Sequence, residues 1–289
     1  MNPILIFLIL LGLGLYLYQA KKRNWRRISL TRSARRLTND RDGVRIIKQL
    51  GAGNIGVVYL AELSGEWRKQ LGIQWSSSRI PEEPVALKIC SFKDERKRLH
   101  VLVRLAGVID QALDAGSSLS LCPLLAVGLI EGRKPGEHLI TEIMPHIRGD
   151  SLKNCIRDKK SLGTNNPQVI MPKLLRILET ATFLEEKGFY TRSLDLENVI
   201  VQNDGSWLRI DYDSASREDK SRAKRIRRLC RFSSQVLKST GSNAPDIIDA
   251  IRKIKDTLRS LDRPAGRKQG DIPIQNTEDL IRILRDLKP

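Results

Sequence analysis

Aromatic residues are scarce in this sequence. The 289 residues include 5 Phe, 5 Tyr and 4 Trp, which together make 5% of the chain. That leaves no platform of interleaved aromatic and basic side chains for single-stranded nucleic acid. With 40% hydrophobic residues, the core is expected to be aliphatic. The four cysteines (Cys90, Cys122, Cys155, Cys230) are far apart and lack C-x-x-C spacing, which fits a reduced compartment and argues against a zinc site. The three histidines (His100, His138, His146) are equally scattered and read as surface or packing residues. With no zinc-finger or basic-zipper pattern, nucleic acid is not expected as a partner.

Basic charge is abundant: 51 Lys and Arg against 33 Asp and Glu, a formal net charge of +18. Much of the excess lies in two runs, one from Lys21 to Arg36 and one from Arg217 to Arg231. The first follows an almost wholly apolar stretch, Pro3 to Tyr18, near the short end of the roughly 17–25 residues that span a bilayer. Tyr16 and Tyr18 fall where an interfacial aromatic belt lies. A cleaved signal peptide carries its basic residues before the apolar run, whereas here they come after it. The expectation is one uncleaved transmembrane helix over 3–20, a basic juxtamembrane linker over 21–42, and a cytoplasmic remainder by the positive-inside rule. Each basic run is either a topology signal or solvated face, or a contact with anionic lipid worth about 1 kcal/mol per residue near the surface. The anchor favours the lipid contact.

Val44–Leu50 reads as a strand leading into Gly51-Ala52-Gly53-Asn54-Ile55-Gly56. A G-x-G-x-x-G string opens a helix in dinucleotide-binding folds and forms a hairpin lid over phosphates in kinases. Val57-Val58-Tyr59-Leu60 is β-branched and aromatic, so a second strand follows and the hairpin is favoured. Glycines suit such a lid because bare backbone must approach the phosphates. After a polar excursion over 64–84, with Trp67 and Trp75, Val85-Ala86-Leu87-Lys88-Ile89-Cys90 reads as a strand broken by one Lys. A Lys in an apolar strand needs a partner or a ligand. A helical pattern spans 93–115, paired strands are expected over 124–130 and 137–144, and a helix over 172–187 closes on Gly188.

Next comes Thr191-Arg192-Ser193-Leu194-Asp195-Leu196-Glu197-Asn198, then an apolar triplet, the turn Asn203-Asp204-Gly205, and Leu208-Arg209-Ile210-Asp211-Tyr212-Asp213. This reads as a loop and a hairpin that holds Asn198 and Asp211 at its ends, two oxygen ligands of the kind Mg²⁺ takes. Taken in order, these motifs resemble the protein-kinase-like superfamily. The resemblance implies a glycine loop at Gly51, Gly53 and Gly56 with Val58 behind it, and Lys88 on the α- and β-phosphates of ATP. It also implies adenine contact in the hinge segment after Thr141, including Glu142, and Mg²⁺ on Asn198 and Asp211. An acidic partner for Lys88 is expected on the 93–115 helix, with Glu95 and Asp110 both open.

The chain departs from that pattern at the base position, where Ser193 replaces the Asp that accepts the acceptor's proton. Asp195, two residues on, is the alternative base. Thr191 replaces the loop His, Tyr212-Asp213 replaces Phe-Gly, and no Ala-Pro-Glu follows. Leu208–Ala215 and the basic helix expected over Ser221–Leu237 are similar to the lipopolysaccharide core-sugar kinase family. The expected fold is α+β: a bilobal protein-kinase-like fold with a small β-rich lobe over 43–145 and a short helical lobe over 146–262. A linker and a final helix capped at Asn276 occupy 263–289. The expected function is transfer of the γ-phosphate of Mg-ATP to a hydroxyl on a lipid-linked sugar or a protein. The alternative is a pseudokinase scaffold at the membrane.

Overall fold

The structure, a computed structural model, describes residues 44–53, 56–63, 84–91, 94–131, 138–158, 167–190, 194–212, 222–241, 245–262, 274 and 276–287. The anchor, the juxtamembrane linker, Trp67, Trp75, Thr191–Ser193 and Asp213 lie outside them. Among the described residues, no helix is long and apolar enough to cross a membrane.

The fold is mixed α and β, and the chain divides into two compact units. The first unit takes the described residues up to Ala106 together with Leu124–His146; the second takes Gly107–Pro123 and everything after Ile147. The sequence expectation kept 43–145 together, so 107–123 is a departure from it.

The first unit is an antiparallel five-stranded sheet in the order β1-β2-β3-β5-β4. Its strands are β1 (Val44–Ala52), β2 (Gly56–Leu63), β3 (Val85–Cys90), β4 (Ala126–Glu131) and β5 (His138–Pro145). Val57, Tyr59, Leu87, Ile89, Leu139 and Ile143 form its buried cluster, which follows from strands that alternate apolar positions on one face. Helix α1 (Glu95–Asp114) crosses the division at Ala106.

The second unit is mainly helical. A three-stranded sheet, β6-β7-β8, comprises β6 (Gly149–Ser151), β7 (Val199–Gln202) and β8 (Trp207–Arg209). Gly149 is obligatory there, because a Cβ would stand 2.1 Å from the Val201 carbonyl oxygen. Helix α2 (Leu152–Arg157) is capped by Ser151, whose hydroxyl accepts from the Asn154 N–H at 3.2 Å. Helix α3 (Pro167–Glu186) starts five residues earlier than the Pro172 start expected from the sequence. Pro167 takes the favoured first position, and burial of Ile170 and Met171 outweighs the backbone bond that Pro172 cannot make. The helix ends where expected, on Gly188 at φ 75°; the Phe189 N–H returns to the Leu184 carbonyl at 2.7 Å.

Helix α4 (Arg222–Ser239) packs against α5 (Pro245–Asp262), an element beyond those expected from the sequence. The signal was present: Ile247, Ala250, Ile254 and Leu258 follow helical spacing behind a proline. Helix α6 (Thr277–Arg285) carries the expected cap as a full capping box between Asn276 and Asp279. It is part of the second unit's core, with Leu280, Ile281 and Leu284 buried.

Candidate functional site

In the first unit, strand register lines up the candidate residues. Gly51 on β1 lies opposite Val58 on β2, Val58 opposite Lys88 on β3, and Lys88 opposite Glu142 on β5. Directly opposed residues in antiparallel strands share a face, with their Cβ atoms about 4.5–5.5 Å apart. Four of the residues singled out from sequence therefore form one row across the sheet. Lys88 is 7% exposed and Glu142 1%. The Cys90 thiol lies 4.0 Å from Glu142 Oε1 and donates to it, so the carboxylate is on the face that Lys88 and Cys90 share. Glu142 is not in a hinge segment. It lies in mid-strand between β3 and β4, opposite both Lys88 and Val127, so its main chain belongs to the sheet ladder and its side chain is what it offers.

The glycines of the β1–β2 turn divide by role. A Cβ on Gly56 would meet Cys90 Sγ at 2.6 Å and the Ile89 carbonyl oxygen at 2.8 Å, so strand packing itself requires glycine there. A Cβ on Gly51 would meet nothing within 4 Å, and one on Gly53 only the Gly56 carbonyl oxygen at 3.8 Å. The fold leaves those two positions open. The Gly53 N–H donates to the Gly56 carbonyl at 2.8 Å and closes the turn.

In the second unit, Asp195 precedes a 3₁₀ turn, Leu196–Asn198. Its side chain is exposed and makes no capping bond, while its carbonyl accepts from the Asn198 N–H at 2.9 Å. The β7–β8 hairpin pairs Val199 with Arg209, and the Ile210 N–H donates to the Asn198 carbonyl at 3.0 Å. Asn198 and the residue before Asp211 are thus tied together just beyond the ladder. Two oxygen donors at neighbouring positions fit Mg²⁺, which completes its octahedron with waters and substrate phosphates. Among the described residues, no cluster of three or more His, Cys, Asp or Glu side chains suits a metal. Ser193 lies outside the described residues.

Two features of this hairpin were not legible as functional in the sequence. Tyr212 is fully buried, and its hydroxyl lies 3.1 Å from the Cys122 carbonyl and 3.2 Å from the Arg209 carbonyl, to which it donates. Burial and the neighbouring Cys122 push its pKa well above the usual phenol range. Arg209 is also fully buried, and its guanidinium nitrogens have no hydrogen-bond partner among the described residues. Burial lowers its pKa, while its attraction to Tyr212, Asp211 and Glu185 acts the other way. A second strand-like contact, the parallel bridge between Leu121 and Arg209, flanks β8.

Glu185, at the end of α3, joins three helices. Arg225 Nε on α4 lies 2.9 Å from Glu185 Oε1, close enough for an ion pair although its N–H is not aimed in hydrogen-bond geometry. The Thr277 hydroxyl on α6 donates to the same carboxylate at 3.3 Å. The Arg225 guanidinium also stacks 5.1 Å from the Tyr190 ring centre.

No family model matches the chain. It is similar to the "Putative molluscan insulin-related peptide(s) receptor" of Lymnaea stagnalis, at 27% identity over 187 residues. The similarity covers 57% of this chain and 10% of that protein, so the chain spans about a tenth of its length.

Proposed function

We propose that the chain is a protein-kinase-like phosphotransferase anchored to a membrane by residues 3–20, with its folded part cytoplasmic. The observation that carries this reading is the row Gly51–Val58–Lys88–Glu142. It sets Lys88, to which we assign the grip on phosphate, behind a turn in which the fold leaves Gly51 and Gly53 open. Asn198 and Asp211 would hold Mg²⁺, which when bound supplies charge neutralisation on the phosphates of ATP. Positioning and electrostatics carry most of phosphoryl transfer, so a chain with Ser193 at the base position retains most of what the reaction needs. Asp195, exposed and not spent on capping, is assigned the acceptor's proton. The acceptor is a hydroxyl on a lipid-linked sugar or a protein.

The deciding experiment is calorimetric titration of Mg-ATP into the full chain in detergent micelles. Binding that requires Mg²⁺ and disappears in Asp211→Asn and Lys88→Met is the expected result. Absence of binding by the folded wild type rejects the enzyme and leaves a scaffold, the reading that Ser193 favours. Given binding, Asp195→Ala is expected to abolish transfer, while Ser193→Ala leaves it within a few-fold, since general-base help is worth roughly 10²- to 10⁴-fold.

A further inference from the structure

Lys88 is buried on a strand, and a buried ammonium persists only beside an opposite charge. Among the described side chains of its unit, four carboxylates are candidates: Glu62, Asp94, Glu95 and Glu142. Glu62 is paired with Arg45, at 2.7 Å from its Nε, on the exposed side of the sheet edge. Asp94 accepts from the Lys97 N–H at 3.0 Å at the start of α1. Glu95 is half-buried in the first turn of α1, and Asp110 belongs to the second unit. Glu142 is buried, directly opposite Lys88 on the neighbouring strand and on the same face.

We infer that Glu142 is the counter-charge that positions Lys88, and that the β3–β5 register fixes the pair without any contribution from α1. Where a helix supplies the carboxylate, the Lys is in place only when that helix is. Here two adjacent strands of one sheet hold both charges. The lysine is set whenever the sheet is folded, so its grip on an anionic ligand does not depend on where α1 lies. Glu142 is a positioning residue: it acts on a ligand through Lys88. The part of this inference that concerns phosphate rests on the proposed function; the ion pair does not.

The test has two arms on the full chain. In the first, the thermal unfolding of Lys88→Met, Glu142→Gln and the double variant is measured. Each single variant leaves one buried charge unmatched, so the double variant is expected to lose less stability than the two singles added together. Additive losses overturn the pair. In the second arm, ATP affinity is measured at a temperature where circular dichroism shows every variant folded. Affinity is expected to fall about tenfold in Glu142→Gln and to return in large part in Glu142→Asp. It is expected to stay within about twofold in Glu95→Gln and Asp110→Asn, two carboxylates of α1 that the strand pair makes unnecessary. Unchanged affinity in Glu142→Gln, or a loss in Glu95→Gln instead, overturns the positioning role. If the wild type binds no ATP, the proposed function fails, while the stability cycle still decides the pair.

Discussion

At the scale of single residues, glycines that look alike in sequence separate by what surrounds them. Gly56→Ala forces a methyl against Cys90 and the Ile89 carbonyl and is expected to cost about 1–3 kcal/mol of stability. Gly53→Ala meets only an ordinary contact, so its unfolding midpoint should match the wild type, while nucleotide affinity falls if phosphates approach that backbone. Thermal melts and ATP titrations of both variants separate a structural glycine from a ligand-facing one. Tyr212→Phe removes one buried hydroxyl from two carbonyls, so a loss of about 1 kcal/mol is expected in denaturant unfolding. The glycine string, Lys88, Asn198 and Asp211 were legible because each stands out locally: a glycine among strand formers, a charge within an apolar run, polar ends on a hairpin. The neighbour of Lys88 was not legible. Glu142 is 54 positions away, and only the register of β3 on β5 makes the two adjacent.

At the scale of elements, amphipathic spacing marked most helices, and packing set where they begin. Helix α4 has no acidic residue, yet its basic residues divide. Arg225 turns inward to Glu185, and Lys224, Arg228, Arg231 and Lys238 are exposed. Periodicity could locate such a helix but not say which arginine is buried, because that depends on where α3 places Glu185. The exposed face is the part of α4 suited to an anionic leaflet. Lys224→Glu with Arg231→Glu is expected to leave the unfolding midpoint unchanged. In flotation with phosphatidylserine vesicles of the chain from Leu37 to Pro289, which leaves out the proposed anchor, it should weaken association roughly 25-fold or more, given about 1 kcal/mol per basic residue. Equal flotation of both proteins would reject the lipid contact at α4. Glu185→Gln strikes the inward side: it removes the charge that pairs with buried Arg225 and leaves one oxygen to accept where the carboxylate offered two to Thr277 on α6. A cost of about 2–3 kcal/mol is expected by chemical denaturation, below the 3–5 kcal/mol of a fully enclosed pair because Glu185 is partly exposed.

At the scale of the whole molecule, all four thiols are buried, and burial pushes Cys122 and Cys230 up to about 12. The native chain is therefore expected to resist maleimide at pH 7.5 and to react fully once unfolded, which a mass shift would read directly. The mixed α and β class followed from the order of strand and helix patterns. The exchange of 107–123 into the second unit did not, since nothing in that stretch announces that its end will lie along β8. The Ser120 carbonyl accepts from the Arg209 N–H, the Cys122 N–H donates to the Arg209 carbonyl, and the Tyr212 hydroxyl closes over both segments.

That seam carries a cost in time as the chain is made. The backbone groups of Ser120 and Cys122 leave the ribosome some 90 residues before the ones that pair with them. At about 5–20 residues per second, they wait roughly 5–20 s for their partners. Once residue 145 has emerged, the sheet of the first unit has all five of its strands, while 107–123 still waits for the segment it pairs with. Nascent chains stalled so that residue 150 has just emerged should therefore show a protease-sensitive site within 107–123 that vanishes once residue 212 has emerged.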